Sequence, residues 1–258
     1  MVTTFYKYQG TGNDFIIIDN RSQEFDKGDR QYIAFLCDRR FGIGADGLIL
    51  LENHKTLDFK MVYYNSDGNE GSMCGNGGRC ITAFAKFLGL IDNTAKFEAI
   101  DGLHEAIIDG EIVKLKMGDV KMVEVYKSHQ FLNTGSPHHV QLEDYLDSLD
   151  IKAKGSAIRY GEPYGEEGSN VNFVKKLSEN TFKVRTYERG VEDETLSCGT
   201  GVTAVAIAMY NAGETKSKSV NLETPGGTLT VTFDKVENSY NNIWLIGKAL
   251  QVFKGEIE

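Results

Sequence analysis

The chain has 258 residues, 41% of them hydrophobic, which is enough for a large core in one or two domains without disulfide support. Its 28 basic and 37 acidic residues give a net charge of −9, with both signs scattered, which disfavours nucleic acid or an anionic membrane as partner. The first twenty residues show no secretory signal, and no run approaches the roughly 18 apolar residues of a membrane span, so we expect a cytoplasmic protein with reduced cysteines.

In the first half of the chain, residues 31–40 (QYIAFLCDRR) have the period of an amphipathic helix, which we expect outside a sheet. Residues 59–64 (FKMVYY) alternate apolar and polar side chains as half-buried strands do, and so do residues 113–117 (VKLKM). Between these strands a helical period begins after Cys74. The order is strand, cysteine turn, helix, strand.

The second half repeats this order. Residues 181–187 (TFKVRTY) and 228–233 (TLTVTF) alternate as strands, and the helical period that follows Cys198 is apolar nearly all round, as in a core helix. Gly89 and Gly213 stand where each long helix needs a left-handed C-terminal residue.

One offset relates the two halves. Cys74 and Cys198 are 124 residues apart (198 − 74), and the same offset relates the glycine pairs 75/199, 77/201, 89/213 and 102/226. We therefore predict an α+β fold made by duplication, in which a mixed or antiparallel sheet rolls around a central helix twice. The predicted domains are residues 1–119, joined by a C-terminal strand at about 246–258, and residues 120–245.

The turns SMCGNGGRC and SCGTG each place a thiol just ahead of a helix N-terminus, where backbone N–H groups and the helix dipole favour the thiolate. Glycines there let a carboxylate approach the backbone. Cys74 and Cys198 would lie in two opposed turns of this kind. One thiolate could remove a proton from one face of a carbon next to a carboxylate, and the other thiol could deliver a proton to the opposite face, without a cofactor. Cys37 and Cys80 lie in apolar helical patterns and should pack.

Other readings are weaker. No cysteine pair has C-x-x-C spacing and no histidine stands at finger spacing from a cysteine, so we expect no metal site. The runs GTGND and GTGV complete no phosphate-binding motif. A thiol redox module that uses Cys74 and Cys198 remains an alternative.

The chain resembles the diaminopimelate epimerase family through motifs that occur in this order: KYQGTGNDFIIID, RFGIGADGLI, YYNSDGNE, MCGNGGRC, TGSPHHV, NVNFV, YERGVEDETLSCGTG and ETPGG. The resemblance implies a pyridoxal-phosphate-independent isomerase, without cofactor, that converts LL-2,6-diaminopimelate to the meso form on the route to lysine and peptidoglycan. It also implies two pseudo-symmetric domains with the active site in the cleft between them, a small-molecule substrate, and a homodimer.

Carried over by motif position, Cys198 would be the proton acceptor and Cys74 the donor in the LL-to-meso direction, with His138 and Glu188 as the auxiliary pair. His138 as a purely structural residue stays an alternative, and His139 has no matching role. The residues implied in substrate binding are Asn13, Asn65, Gly75, Asn76, Asn170, Glu188, Arg189, Gly199 and Thr200.

The chain departs from the family at three places. Gly47 stands where some members have a glutamine that touches substrate, Ser136 stands where many have asparagine, and the loop from Arg189 to Cys198 is one residue longer. The resemblance leaves one alternative substrate class open, proline or hydroxyproline. Arg189 argues against it, because such a substrate has no distal carboxylate to bind.

Overall fold

The computed structural model describes residues 2–258. Its strands are β1 (Thr3–Gly10), β2 (Asn13–Asp19), β3 (Gly47–Glu52), β4 (Phe59–Asn65), β5 (Thr94–Ala99), β6 (Gly102–Asp109), β7 (Ile112–Lys116), β8 (Glu124–Val125), β9 (Gln130–Asn133), β10 (Pro137–Leu142), β11 (Asn170–Lys176), β12 (Thr181–Glu188), β13 (Asp193–Thr195), β14 (Ser219–Thr224), β15 (Gly227–Val236), β16 (Ser239–Lys248) and β17 (Leu250–Ile257). Its helices are α1 (Arg30–Cys37), α2 (Gly75–Phe87), α3 (Ile151–Arg159) and α4 (Gly199–Asn211), with a 3₁₀ turn at Leu146–Ser148.

The chain divides into two compact units. The first contains the residues up to Leu115 together with Gly247–Glu258, and the second contains Lys116–Ile246. The chain passes between the units within β7 and within β16. The last strand is β17, which begins at Leu250 rather than near residue 246 and pairs with β1 in the first unit.

The sheet of the first unit has the strand order β17, β1, β2, β3, β4, β5, β6, β7. The pairs β2–β3 and β4–β5 are parallel, and the others are antiparallel. The sheet of the second unit has the order β8, β9, β10, β11, β12, β14, β15, β16, with β13 beside the end of β12. Its parallel pairs are β10–β11 and β12–β14.

These pairings repeat one topology. In the first unit, the pairings between neighbouring strands from β1 to β7 are antiparallel, parallel, antiparallel, parallel, antiparallel and antiparallel. In the second unit, the pairings along β9, β10, β11, β12, β14, β15 and β16 follow the same order. The long helices α2 and α4 follow β4 and the β12–β13 hairpin respectively, so they occupy equivalent places. The predicted α+β fold with a duplicated unit is confirmed.

Each long helix is the centre of its unit. Helix α2 contacts β1, β2, β3, β4, β6 and β17, and α4 contacts β9, β10, β11, β12, β14 and β15, so each sheet curls around its helix. Every residue of α4 from Gly201 to Met209 is buried, as its nearly all-apolar sequence predicts. Both helices end with the predicted glycine at positive φ, 70° at Gly89 and 77° at Gly213.

Shorter helices cover the outer face of the sheets. Ile33 and Leu36 of α1 pack in one cluster with Leu48 and Leu50 of β3, whereas Ile49 lies close to α2 at Gly77. Because successive side chains of a strand point to opposite faces, α1 and α2 lie on opposite sides of this sheet. In the second unit Ile151 of α3 belongs to the corresponding outer cluster.

Helix α1 is shorter than the sequence predicts. It begins at Arg30, where the Asp29 side chain accepts a hydrogen bond from Tyr32 N, and it ends at Cys37 rather than at Arg40. Asp38 is extended, and its Oδ1 accepts from the backbone N–H groups of Arg40 and Phe41, both at 2.7 Å. This side chain competes with the helical hydrogen bonds and ends the helix.

Within the described residues, no helix has both the length and the apolar character that crossing a membrane requires.

Candidate active site

Cys74 and Cys198 occupy the same position in the two units, immediately before the first residue of α2 and of α4. Both have extended backbones, and their carbonyls accept the first helical hydrogen bonds, from Gly78 N at 2.8 Å and from Val202 N at 2.9 Å. The preceding amides of each helix have no helical acceptor and can bind an anion. Gly75 and Asn76 carry such amides at α2, and Gly199 and Thr200 carry them at α4.

Cys74 is half-buried, and its thiol donates to Asn13 Oδ1 at 3.4 Å. Asn13 begins β2, and its Oδ1 also accepts from Asn76 Nδ2 at 3.3 Å. Three of the predicted site residues of the first unit therefore touch one another.

An ion-pair cluster lies behind Asn13, on the side away from the thiol. Asn13 Nδ2 donates to Asp46 Oδ2 at 2.6 Å, and Arg39 contacts both Asp46 and Asp14. Lys7 pairs with Asp14 at 2.7 Å. Burial opposes ionisation of Asp14, but hydrogen bonds and charges from Arg39 and Lys7 outweigh it and lower the pKa of Asp14 to about 2.

Arg79 is a fully buried cation near Cys74 that the sequence analysis did not single out. Its Nη2 donates to Asn76 Oδ1 at 2.5 Å and to Thr11 Oγ1 at 3.0 Å, and Nη1 donates to the carbonyl of Lys248 at 2.9 Å. Burial lowers the pKa of its guanidinium, although an arginine stays charged in such a site. The sequence signal was available, since Arg79 immediately precedes the apolar face of its helix, and a buried arginine needs hydrogen-bond partners.

Asn65 ends β4 and is exposed. Its sheet partner is Gly47, one of the departures from the family. A Cβ at Gly47 would meet the Tyr63 ring and the Tyr64 carbonyl at 2.5 Å, so no side chain fits there. The glutamine contact of other members has no counterpart at this position.

Cys198 is 6% exposed, and its Sγ lies 3.5 Å from Thr200 Oγ1. Gly201, in the first turn of α4, brings the helix against a neighbouring strand: a Cβ there would meet Asn172 Oδ1 at 2.5 Å and Cys198 Sγ at 3.2 Å. Asn172, from β11, therefore packs directly behind the cysteine turn.

Asn172 also holds His138, which is fully buried on β10. Asn172 Nδ2 donates to His138 Nδ1 at 3.1 Å and to the His139 carbonyl at 3.0 Å, while its Oδ1 accepts from Thr186 Oγ1 at 3.0 Å. Burial, together with the positive charge of Arg189, lowers the pKa of His138 to about 3. His138 is thus neutral at pH 7, with its proton on Nε2.

Asn170 lies beside His138 and hydrogen-bonds to Ser136 and to the backbone of Arg189. It lies beside His138 in the parallel register of β10 and β11, and its Nδ2 donates to Ser136 Oγ at 2.7 Å. Its Oδ1 accepts from the Arg189 backbone N–H at 2.9 Å. Ser136, which replaces the usual asparagine, here anchors the Asn170 amide.

Glu188 and Arg189 follow one another at the end of β12. Glu188 Oε2 accepts from Thr195 Oγ1 at 2.9 Å, and Arg189 Nη1 donates to the Glu167 carbonyl at 3.0 Å. The loop between residues 160 and 169 thus fixes one side of the guanidinium.

The remaining cysteines and His139 behave as structural residues. Burial raises the pKa of Cys37 and of Cys80 to about 12, so both are thiols at pH 7. His139 stacks on His129 with ring centroids 4.1 Å apart and pairs with Tyr164 OH at 2.9 Å.

Comparison with known proteins places the chain among proteins of one family. A family model described as diaminopimelate epimerase matches residues 5–123 and 130–251. The diaminopimelate epimerase of Flavobacterium psychrophilum is 58% identical over 253 residues, covering 98% of this chain and 99% of that protein. The one from Chlorobaculum tepidum is 42% identical, covering 96% and 98% respectively.

Two solved structures share the fold at low identity. A PhzF-family phenazine biosynthesis protein of Bacillus anthracis has a TM-score of 0.79 at 14% identity, covering 100% of this chain and 99% of that one. A probable proline racemase from Agrobacterium radiobacter has a TM-score of 0.71 at 14% identity, covering 99% and 93%.

Proposed function

The chain belongs to the diaminopimelate epimerase family, and on that premise we propose that it converts LL-2,6-diaminopimelate to the meso isomer by proton transfer at Cys74 and Cys198. The observation that carries this mechanism is the equivalence of the two cysteines, each of which stands at the N-terminus of the core helix in one copy of a duplicated unit. A single such cysteine would have no partner of matched geometry.

In the LL-to-meso direction, the Cys198 thiolate removes the proton from the α-carbon, and its sulfur becomes a thiol. The Cys74 thiol then delivers a proton to the opposite face of that carbon and becomes a thiolate. The electron pair of the broken C–H bond passes into the substrate carboxylate and returns to form the new C–H bond. Because the α-proton is weakly acidic, amides at Gly75 and Gly199 must stabilise the developing charge, at roughly 3–4 kcal/mol for each good donor.

The neighbouring side chains support these roles. Neutral His138 presents a donor at Nε2, and Glu188 supplies a carboxylate that can bind the substrate ammonium group. Arg189 suits a two-point grip on the distal carboxylate. Asn13, Asn65, Asn76, Asn170 and Thr200 complete the proposed binding set.

We further propose that residues 1–119 with 246–258, and residues 120–245, act as the two domains of a cytoplasmic homodimer. Sedimentation equilibrium checks the dimer: the mass should be twice the 28.7 kDa of the chain at micromolar concentration. A species of 28.7 kDa at all accessible concentrations would contradict it.

Turnover of LL-diaminopimelate in deuterated water tests the reaction. The meso product should carry one solvent-derived deuterium at the inverted α-carbon. Proline and hydroxyproline, given in parallel, should remain unchanged, and racemisation of either without turnover of diaminopimelate would identify the alternative substrate class.

Replacing one cysteine at a time tests the two-base assignment. Cys74→Ala and Cys198→Ala should each lower kcat by roughly 100-fold or more. Cys74→Ala should still exchange the α-proton of the LL isomer with solvent, without inversion, because Cys198 can both remove and return it. Cys37→Ala is the matched control and should retain activity, and inversion at normal rate in either single variant would exclude the cysteine pair.

A further inference from the structure

A chain of hydrogen-bonded side chains runs past Cys74 in the first unit. Arg79 Nη2 donates to Asn76 Oδ1 at 2.5 Å, and Asn76 Nδ2 donates to Asn13 Oδ1 at 3.3 Å. Asn13 Nδ2 then donates to Asp46 Oδ2 at 2.6 Å. The same Asn13 oxygen lies 3.4 Å from Cys74 Sγ.

The two ends of this chain fix its direction. A guanidinium has only donors and a carboxylate has only acceptors, so Asn76 must turn its oxygen to Arg79, and Asn13 must turn its NH₂ group to Asp46. Rotating the Asn13 amide by half a turn would place its oxygen against the carboxylate and its NH₂ against that of Asn76. In the observed arrangement each contact along the chain joins a donor to an acceptor.

The direction determines what the thiol meets. With its NH₂ group held by Asp46, Asn13 offers Cys74 an oxygen, which accepts from S–H and disfavours S⁻. We propose that Asp46 is a positioning residue that, through Asn13, holds Cys74 as the protonated thiol. This role rests on the proposed function, because it takes Cys74 as an acid–base group, and it fits the donor role of Cys74 in the LL-to-meso direction.

Asp46 is itself held from several sides. Arg39 Nη2 donates to its Oδ1 at 2.7 Å, its backbone N–H donates to the Asp14 carbonyl at 3.0 Å, and Asp14 N donates to its Oδ2 at 3.3 Å. The Asp46 side chain is nevertheless 43% exposed, so it can be changed without opening the core.

Several charged or titratable groups lie near this thiol, and the test has to separate their charges from the orientation of the amide. The helix contributes Arg79 and Cys80, and the strands and loops behind Asn13 contribute Lys7, Asp14, Arg39 and Asp46.

Asp46→Asn is the informative substitution. The positive charge of Arg39 would attract the oxygen of the new amide, which leaves its NH₂ group facing Asn13. Asn13 can accept from that NH₂ group only by turning its oxygen toward residue 46, which gives up its 3.3 Å hydrogen bond from Asn76 and turns its own NH₂ group toward Cys74, where it stabilises the thiolate. We expect the pH at half-maximal alkylation of Cys74 by iodoacetamide, followed by mass spectrometry of the Cys74 peptide, to fall by about one unit.

Asp14→Asn is the charge-matched control, because it removes a carboxylate from the same cluster and leaves the Asp46–Asn13 hydrogen bond in place. Its alkylation midpoint should fall less. In about 1 M salt, where the screening length is about 3 Å, the part of each shift that comes from lost charge should shrink, so the midpoint of Asp14→Asn should return toward the native value while that of Asp46→Asn keeps the part that comes from the turned amide.

Equal midpoints in the two variants, or a midpoint unchanged by Asp46→Asn, would overturn the role of Asp46. If Asp46→Asn does not fold, Asp46→Ala replaces it: it removes the acceptor that holds the Asn13 NH₂ group, so the amide can turn, and the alkylation midpoint should again fall further than in Asp14→Asn. Alkylation requires no turnover, so this result stands apart from the assay of the proposed function. Where diaminopimelate is turned over, kcat in the LL-to-meso direction should fall in Asp46→Asn, because less Cys74 is protonated.

Discussion

At His138 a neighbouring amide decides where one proton resides. The ring is neutral because burial lowers its pKa to about 3, and Nδ1 accepts from Asn172, so the hydrogen sits on Nε2. Within the described residues, Nε2 has no hydrogen-bond partner. A buried donor without a partner is costly, and a substrate carboxylate or a thiolate would satisfy it.

Asn172→Asp should move this proton. A carboxylate cannot donate to Nδ1, so the hydrogen shifts to Nδ1, and the pKa of His138 rises because a negative charge now faces the ring. We expect kcat to fall roughly 100-fold with a smaller change in KM. Nitrogen chemical shifts of His138 report the tautomer directly.

Thr186→Val is the matched control, because it removes a hydrogen bond to Asn172 Oδ1 but leaves both donors of Asn172 in place. It should keep the hydrogen on Nε2. An Asn172→Asp protein with unchanged kcat and a proton still on Nε2 would show that Asn172 has no part in setting the tautomer.

The sequence identified the reacting side chains better than the residues that orient them. Cys74 and Cys198 stand out because the turn is repeated, and that signal is local. Asp46 and Asn172 could not be found in this way, because each acts through a side chain more than thirty residues distant, and the polarity of an amide depends on the partners that the fold supplies.

At the scale of elements, α2 and α4 are a matched pair with different neighbours. Gly77 and Gly201 are equivalent positions in their first turns, and a Cβ at either would approach the preceding cysteine. At Gly77 the other close atoms are the terminal methyls of Ile49, at 3.2 Å, and Met61, at 3.3 Å. At Gly201 the other close atom is Oδ1 of Asn172. Asn172 cannot move away without breaking its hydrogen bond to His138.

Gly201→Ala should therefore cost more than Gly77→Ala. We expect the former to lower the free energy of unfolding by about 1–3 kcal/mol and kcat by about 10- to 100-fold, because Asn172 is displaced. Both substitutions gain the same helix propensity, about 1 kcal/mol, so that term cancels in the comparison. Urea unfolding and steady-state kinetics of the two variants measure the difference, and equal losses would refute the dependence on Asn172.

The elements that sequence predicted well have strong periodic patterns. Side chains that face the core are apolar, and this leaves a pattern in the sequence. The alternation of apolar and polar residues located β4, β7, β12 and β15, and the apolar run located α4. The short strands β8 and β13 and helix α3 were not predicted, since two or three residues carry no period and α3 has a broad polar face. The strand order likewise depends on pairing between distant segments.

At the scale of the whole molecule, the second unit buries two neutral histidines. Burial lowers the pKa of His138 to about 3, and burial with the nearby His129 lowers the pKa of His139 to about 4. In the unfolded chain both would titrate near 6.5. Between these values the unfolded state binds more protons than the native state does.

Acidification should therefore destabilise the protein well before its carboxylates titrate. The histidines impose no penalty above pH 6.5, and stability falls as the pH drops below it, by up to about 1.4 kcal/mol for each pH unit and each histidine. Asp14, with its pKa lowered to about 2, loses its contribution only below about pH 4, so the range from 6.5 to 4.5 isolates the histidines. Burial also lowers the pKa of His129, which adds to the slope in the same range.

Urea unfolding followed by the fluorescence of Trp244 measures this effect, because the single tryptophan lies in the same unit as both histidines. The midpoint should fall with pH at constant m-value, and His139→Gln should reduce the slope by the contribution of one histidine, because glutamine does not titrate. A stability independent of pH from 6.5 to 4.5 would mean that the native state accommodates protonated histidine at these sites. The buried, neutral ring that the proposed role of His138 requires would then be absent.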